Sequence, residues 1–532
     1  MPLIDSTTGR SVLGWLALLL LACPVRELRA QSLLTQWRGS PNHTGGFEPA
    51  DPHGAPGPKG VLQVLNKHIF YYDKTGNKLW GDGLWTLFKP VGCTGLSMSD
   101  PKACFDPETG RFFVIIEEIA PDLRSYVNIG VSKSSHPATS TVDDWHLYRF
   151  DMTQTIGVTN YGGDYPSLAF DSQALYIWYE MSQISPDSGT FDPSFGGYGS
   201  QLIILNKAQL VSGTASGFNP LFIADFLFQG VTPVGATDPG NVVYLVSTGV
   251  DAESHNDLFL IAVSDPLGNA TISETKIALP GVTLCCPSSA PQLGTNSTVD
   301  TAILVGGAAA QGNAFWHDGD IWFCQTGVTN GRAQVYFVRL RPNGYPNGTP
   351  ALVESGAVGE PDYWNFIPAI GGNAAGDVCM VYTRSSETIY PTMMYAFRAA
   401  GDSSFGSPQV VKVSDSYYTG DRWGDYASSW PDPVDGTFWI THEYARSTRQ
   451  ADWGTWWAQV SSPPYDLYVD WRNFFFPEIG TPLFPFRTVT KAVKAATHGT
   501  IQIYTGHYNE TLTINKAVKL LAEGGTVLLG AP

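Results

Sequence analysis

Charge is scarce in this chain, and positive charge scarcer still. Only 15 % of its 532 residues are charged, 31 Lys and Arg against 48 Asp and Glu, for a net charge of −17. Polyanion binding draws its affinity from cations that displace counterions, so this balance argues against nucleic acid as a partner and fits an acidic, solvated exterior or divalent cations. Long apolar runs are missing after the first thirty residues, and no later segment reaches transmembrane length. Charged heptads and sustained helical periodicity are missing too, which removes coiled coils and helical bundles. No EF-hand loop, G-x-S-x-G elbow, phosphate-binding GxxxxGK[ST] or dinucleotide fingerprint occurs, and His442-Glu443 lacks the second His of a zinc helix. Cysteines show no CxxC pair or Cys/His ligand spacing, so zinc is not indicated.

What the chain has in quantity is Gly (56), Pro (37) and aromatics (13 %), a composition for many short strands joined by tight turns. One phrase recurs: a Gly/Asp/Pro-rich turn, then alternating aromatic and β-branched residues. It appears as SDPKACFDPETGRFFVIIEE at 99–118, GGDYPSLAFDSQALYIWYE at 162–180, GATDPGNVVYLVST at 235–248 and GDRWGDYASSWPDPVDGTFWITHEY at 420–444, and more weakly at 312–326 and 365–383. Such recurrence in sheet-forming sequence predicts a radial array of β-sheets, an all-β propeller. At about 40–50 residues per blade, and after subtracting loops such as Ser182 to Ser200, residues 60–460 accommodate about seven blades, with six and eight also allowed.

Residues 1–30 read as a secretory signal, with Arg10, an apolar Val12–Val25 stretch and a small-residue site at Leu28-Arg29-Ala30; a lipid anchor on Cys23 is the lesser alternative. An N-terminal tail (31–59) without periodicity precedes a hairpin over Gly60–Trp80. That hairpin is expected to complete the blade begun near the C-terminal end, whose last strand is Trp453–Val460. A linker (461–476) follows at Pro463-Pro464. In the module 477–532, Val489, Ala492, Val493 and Ala496 fall at helical spacing, and short strands are predicted at Ile501–Tyr504, Leu512–Ile514, Val518–Ala522 and Val527–Leu529. In an exported chain the six remaining cysteines, Cys93, Cys104, Cys285, Cys286, Cys324 and Cys379, are expected to form disulfides, Cys93 with Cys104 as the local pair.

The PF-x-TV-x-x-AV-x-x-A pattern, the turn at Gly506, Tyr508 and Glu510 and the following L-T-I-x-K resemble the cap and first coils of a right-handed parallel β-helix of the pectate-lyase-like kind. The preceding part, through QVLNKHIFYYDKTG, DPETGRFFV, GDYP and DRWGDY, resembles secreted bacterial proteins with a sialidase-like β-propeller of undefined activity. The resemblance implies a secreted or cell-surface propeller whose loop face takes a glycan or protein ligand. The alternative is a glycan-active enzyme, a glycoside hydrolase in the propeller or a polysaccharide lyase if the β-helix continues.

Sialidase chemistry needs an arginine cluster, and Arg111, Arg384 and Arg422 are its candidates, with local Asp pairing as the alternative for each. No Asp-box of the form S-x-D-x-G-x-T-W occurs. The sharpest cluster is Asp421-Arg422-Trp423-Gly424-Asp425-Tyr426. Asp421, Arg422 and Asp425 at a channel mouth would hold a polar ligand, or calcium through Asp421 and Asp425, and Trp423 would stack on a sugar; the alternative is a blade-entry turn with packed aromatics. Asp164-Tyr165 and Asp100 are analogous. No cofactor is required by this reading, and calcium is compatible with it.

Overall fold

The computed structural model describes residues 32–530 except 42–46, 192–196, 224–227, 236–240, 250–256, 280–288, 295–301, 304–313, 421, 450, 462–466, 475–477, 479, 481–484, 497–498 and 515–517. The signal reading of 1–30, Asp421, Cys285 and Cys286 fall outside these residues. No described helix is long and apolar enough to cross a membrane.

The chain is all-β and propeller-like. Antiparallel meanders succeed one another, led by the strands His53–Pro56, Ser97–Asp106, Thr159–Phe170, Phe228–Gly235, Ala314–His317, Trp364–Gly372 and Ser428–Pro431. Each lead strand touches the next, and Ser428–Pro431 returns to His53–Pro56, so the lead strands form a closed ring about an axis. Where two of them pair directly, at Val234 and Ala314, they run parallel.

The strands read as near-continuous apolar runs because both faces are covered by neighbouring sheets. In Arg111–Ile119, Phe112, Val114 and Ile116 pack on one side with Leu62, Val64 and Phe105, while Phe113 and Ile115 pack on the other with Leu175, Ile177 and Tyr179. The same alternation overturns the expected Cys93–Cys104 disulfide. Cys93 shares a core with Ala103 and Phe105, whereas Cys104 points to the opposite face of that strand. All four described cysteines, Cys93, Cys104, Cys324 and Cys379, are free and buried, acting as small apolar residues. Burial pushes the Cys93 thiol up to about 12.

The stretch 31–59 is not a tail. Ser32–Pro41 pairs antiparallel with Trp453–Ser461 as the outer strand of the last sheet, and His53–Pro56 leads the first. Trp37 secures the closure by packing 4.8 Å from Trp439. The Gly60–Trp80 hairpin is present, but it belongs to its own sheet rather than completing the last one.

At the C-terminal end Leu467–Val469, Gly499–Tyr508 and Val518–Leu529 form a three-stranded parallel sheet beside the helix Val489–Ala495. Leu512–Ile514 is not a strand. The turn residues have visible tasks: a Cβ at Gly506 would lie 2.3 Å from Trp471, the Tyr508 hydroxyl donates to Tyr504 O (2.9 Å), and the Glu510 carboxylate accepts from the amides of Val489 and Thr490 (2.8 Å each) at the helix start.

A buried carboxylate cluster at one end of the lead strands

Several lead strands are entered by the same backbone device. Asp51, Asp100, Tyr165 and Ile367 each precede a proline and each hold positive φ, 47°, 54°, 57° and 50°. Register shifts between Ser99 and Lys102, Asp164 and Ser167, and Phe366 and Ala369 mark three of them as bulges. A left-handed non-glycine residue is costly, and a bulge re-aims side chains. Here the device turns Asp51, Asp100 and Tyr165 into one neighbourhood.

Asp51 accepts from the Asp425 amide (2.8 Å) and from Asn66 Nδ2 (2.5 Å). The other end of Asn66 receives the Asp100 amide (2.8 Å), tying two lead strands together. Asp100 accepts from the buried Tyr426 hydroxyl at 2.5 Å. The Tyr426 ring lies 5.1 Å from that of Tyr165 and carries the Lys102 ammonium 2.9 Å from its centroid. Glu117, opposite Ser99 in the next strand, accepts from its hydroxyl (2.8 Å). Its second oxygen, Oε2, finds no donor among the described residues. The facing group is Asp164, and oxygens of Asp100, Glu117 and Asp164 all lie within 4.8 Å of one another.

So much negative charge out of water is expensive, and the titration behaviour reports it. Burial first, then Asp100 and Glu180, pushes Asp164 up to about 8. Burial raises Glu117 well above the carboxylate range, aided by Asp100 and Asp164, and raises Asp51, aided by Asp425 and Asp100. Asp425 rises to about 6 through burial, although Arg422 opposes the shift. Lys102 is brought down to about 7 because desolvation outweighs its four acidic neighbours. An oxygen-only set of this kind suits a hard cation such as calcium, magnesium or manganese.

The sequence candidates divide cleanly. Asp100, Asp164, Tyr165, Asp425 and Arg422 come together; Arg422 pairs with Asp425 and reaches the surface, its side chain 55 % exposed. Trp423 does not offer a sugar platform: it is 1 % exposed, edge-on to Tyr418, and donates to Thr383 (3.2 Å). The three arginines do not converge. Arg111 sits opposite Asp106, at the other end of its strand, whereas Arg384 sits opposite Asn365 and pairs with Glu360. Asp51, Lys102 and Glu117 were not singled out from sequence; Tyr426 was named in the cluster without a role of its own, and Glu443, which accepts the Gly424 amide (2.8 Å), only as half of a zinc motif. Glu117 and Glu443 each interrupt an apolar run, FVIIEE and FWITHEY, and a carboxylate inside a run that must be buried is the signal that marks them.

No family model matches the sequence, and no curated protein matches it. Among solved structures, the chain is similar to a fungal alcohol oxidase of the AA5 family in complex with copper, at 13 % identity over 82 % of this chain and 78 % of that one, TM-score 0.45. It is similar to a variant of Synechocystis apocarotenoid oxygenase at 10 % identity over 68 % and 71 %, TM-score 0.38. A third is endo-arabinase from Bacteroides thetaiotaomicron, at 14 % identity over 56 % and 93 %, TM-score 0.29. The propeller-like, all-β architecture stands on the chain's own sheet order and closed ring of lead strands.

Proposed function

We propose that this chain is an exported, non-catalytic binding protein, a seven-bladed propeller that holds a divalent cation at Asp100, Glu117 and Asp164 and recognises an extracellular glycan at that mouth. The observation carrying the reading is the convergence of those three carboxylates within 4.8 Å, with one buried oxygen lacking a donor. Calcium is the best fit, since it accepts carboxylates in irregular geometry and adds oxygen ligands readily. Sugar hydroxyls are such ligands. Partly buried Tyr165 and exposed Arg422 supply a ring and a charged donor at the rim. The leader-like residues 1–30 favour export, and the parallel C-terminal strands are read as the opening coils of a β-helix.

The same geometry disfavours an inverting glycoside hydrolase that works with Glu117 and Asp164 as its carboxyl pair. An inverting pair must stand about 6.5–9.5 Å apart to admit a water, whereas oxygens of Glu117 and Asp164 lie within 4.8 Å of each other.

The test is a glycan-array screen of residues 31–532 with calcium and with a chelator, followed by product analysis on every hit. Saturable binding that needs calcium and releases no product is expected. Released sugar would overturn the non-catalytic reading, and binding indifferent to calcium would overturn the cation.

A further inference from the structure

At the other end of the same strands lies a partly open cavity of about 360 Å³. It exists because the lead strands narrow their side chains at one level: Ala55, Ala169, Gly235, Ala314 and Gly371 face it from five different lead strands. Larger residues there would fill the axis.

Its aromatic walls are fixed from behind. Phe105 packs against Phe112 (4.8 Å between centroids), Phe170 stacks on Phe113 (6.5 Å) and Phe315 stacks on Trp322 (6.2 Å). A wall braced in this way keeps its shape instead of collapsing inward. The volume lies at the lower end of the roughly 300–1,000 Å³ found for small-molecule pockets.

One polar feature narrows the ligand. Lys207 is the cation of the described lining, and its ammonium is already engaged by Asp106 and Glu108, 3.0 Å from each, so the wall offers an anion nothing. Trp430 joins the lining as an apolar ring, with its indole N–H buried out of the cavity's reach.

We propose that this cavity is a second binding site, for a neutral, largely apolar molecule of about two fused rings. It is separate from the carboxylate cluster and does not depend on the cation there.

The probe is 6-propionyl-2-dimethylaminonaphthalene, a neutral ketone whose emission shifts blue in apolar surroundings, titrated into residues 31–532 with calcium and with a chelator. Saturable one-to-one binding in both conditions is expected. Gly235→Leu enters the space without backbone conflict, since a Cβ there has its nearest neighbours at 3.7 and 3.8 Å. It should weaken the probe at least tenfold while leaving the melting temperature unchanged or higher. Should that variant fail to fold, Ala314→Leu serves the same purpose. No saturable binding by the unaltered chain, or unaltered affinity in the folded cavity-filling variants, would overturn the proposal.

Discussion

The lead strands have two unlike ends. At one, Asp51, Asp100 and Asp164 meet Glu117 and Asp425 around a single lysine; about five residues further along, roughly 15 Å at 3.3 Å per residue, the same strands present Ala55, Ala169 and Gly371 to an apolar cavity. The backbone differs in parallel. Asp51, Asp100, Tyr165 and Ile367, each left-handed before a proline, mark the acidic end of their strands, and none of the described cavity-lining residues holds positive φ. Strain therefore accompanies charge, as expected where a local conformation is kept for what it positions. The apolar end needs no such device, because small residues on regular strands suffice.

The largest test of that contrast removes the buried counter-charge. Lys102→Met should cost about 3 kcal/mol near neutral pH, the scale for orphaning one side of a buried ionic group, measured by urea denaturation. The loss should shrink below pH 5, where Asp425, ionised at neutral pH, is protonated as well. A loss that is the same at both pH values would deny that charge organises this end.

Next comes the cation itself. Calcium at a hundred times its dissociation constant should stabilise the chain by about 2.7 kcal/mol, read as a rise in melting temperature that a chelator reverses. Glu117→Gln should abolish the rise and, in chelator, should raise stability above the parent by removing a desolvated carboxyl.

The pH profile in chelator has a defined sign. Asp164 titrates near 3.8 when unfolded and about 8 when folded. Between those values the unfolded chain has released a proton the fold retains, so stability falls as pH rises. Asp425 adds to the fall up to about 6. Lys102 acts oppositely above about 7: up to its ordinary 10.5 the unfolded chain holds the extra proton, and stability recovers. Glu117 and Asp51, also raised by burial, extend the fall in the same sense, so a lower melting temperature at pH 8 than at pH 5 is expected, and calcium should flatten that fall.

The smallest expected effect sharpens the comparison most. Glu117→Gln and Gly235→Leu sit at opposite ends without shared partners, so their stability changes should add to within about 0.5 kcal/mol. A larger coupling in a double-mutant cycle would mean that the ends communicate.

Sequence reasoning reached the architecture through turn chemistry and apolar alternation, which are local signals. The Asp-Pro and Asp-Tyr-Pro entries at Asp100 and Asp164 were legible for the same reason. What stayed hidden depends on register. Glu117 matters because it lies opposite Ser99, and Cys104 fails to meet Cys93 because one residue of alternation turns it to the other face. Asp51-Pro52 repeats the Asp100-Pro101 pattern, yet it lay in a stretch with no periodicity, where four residues of strand leave too short a trace. Trp423 shows the converse: an aromatic beside charged residues looks like a surface platform until its neighbours bury it.

The pairing of Ser32–Pro41 with Trp453–Ser461 also sets a clock. Gln36 bonds Trp456 across 420 positions, so at about 5–20 residues per second of synthesis the first strand is made roughly 20–85 s before its partner exists. Throughout that wait Ser32–Pro41 must be kept from wrong edges, and the last sheet is complete only once a strand made some 420 residues later joins it.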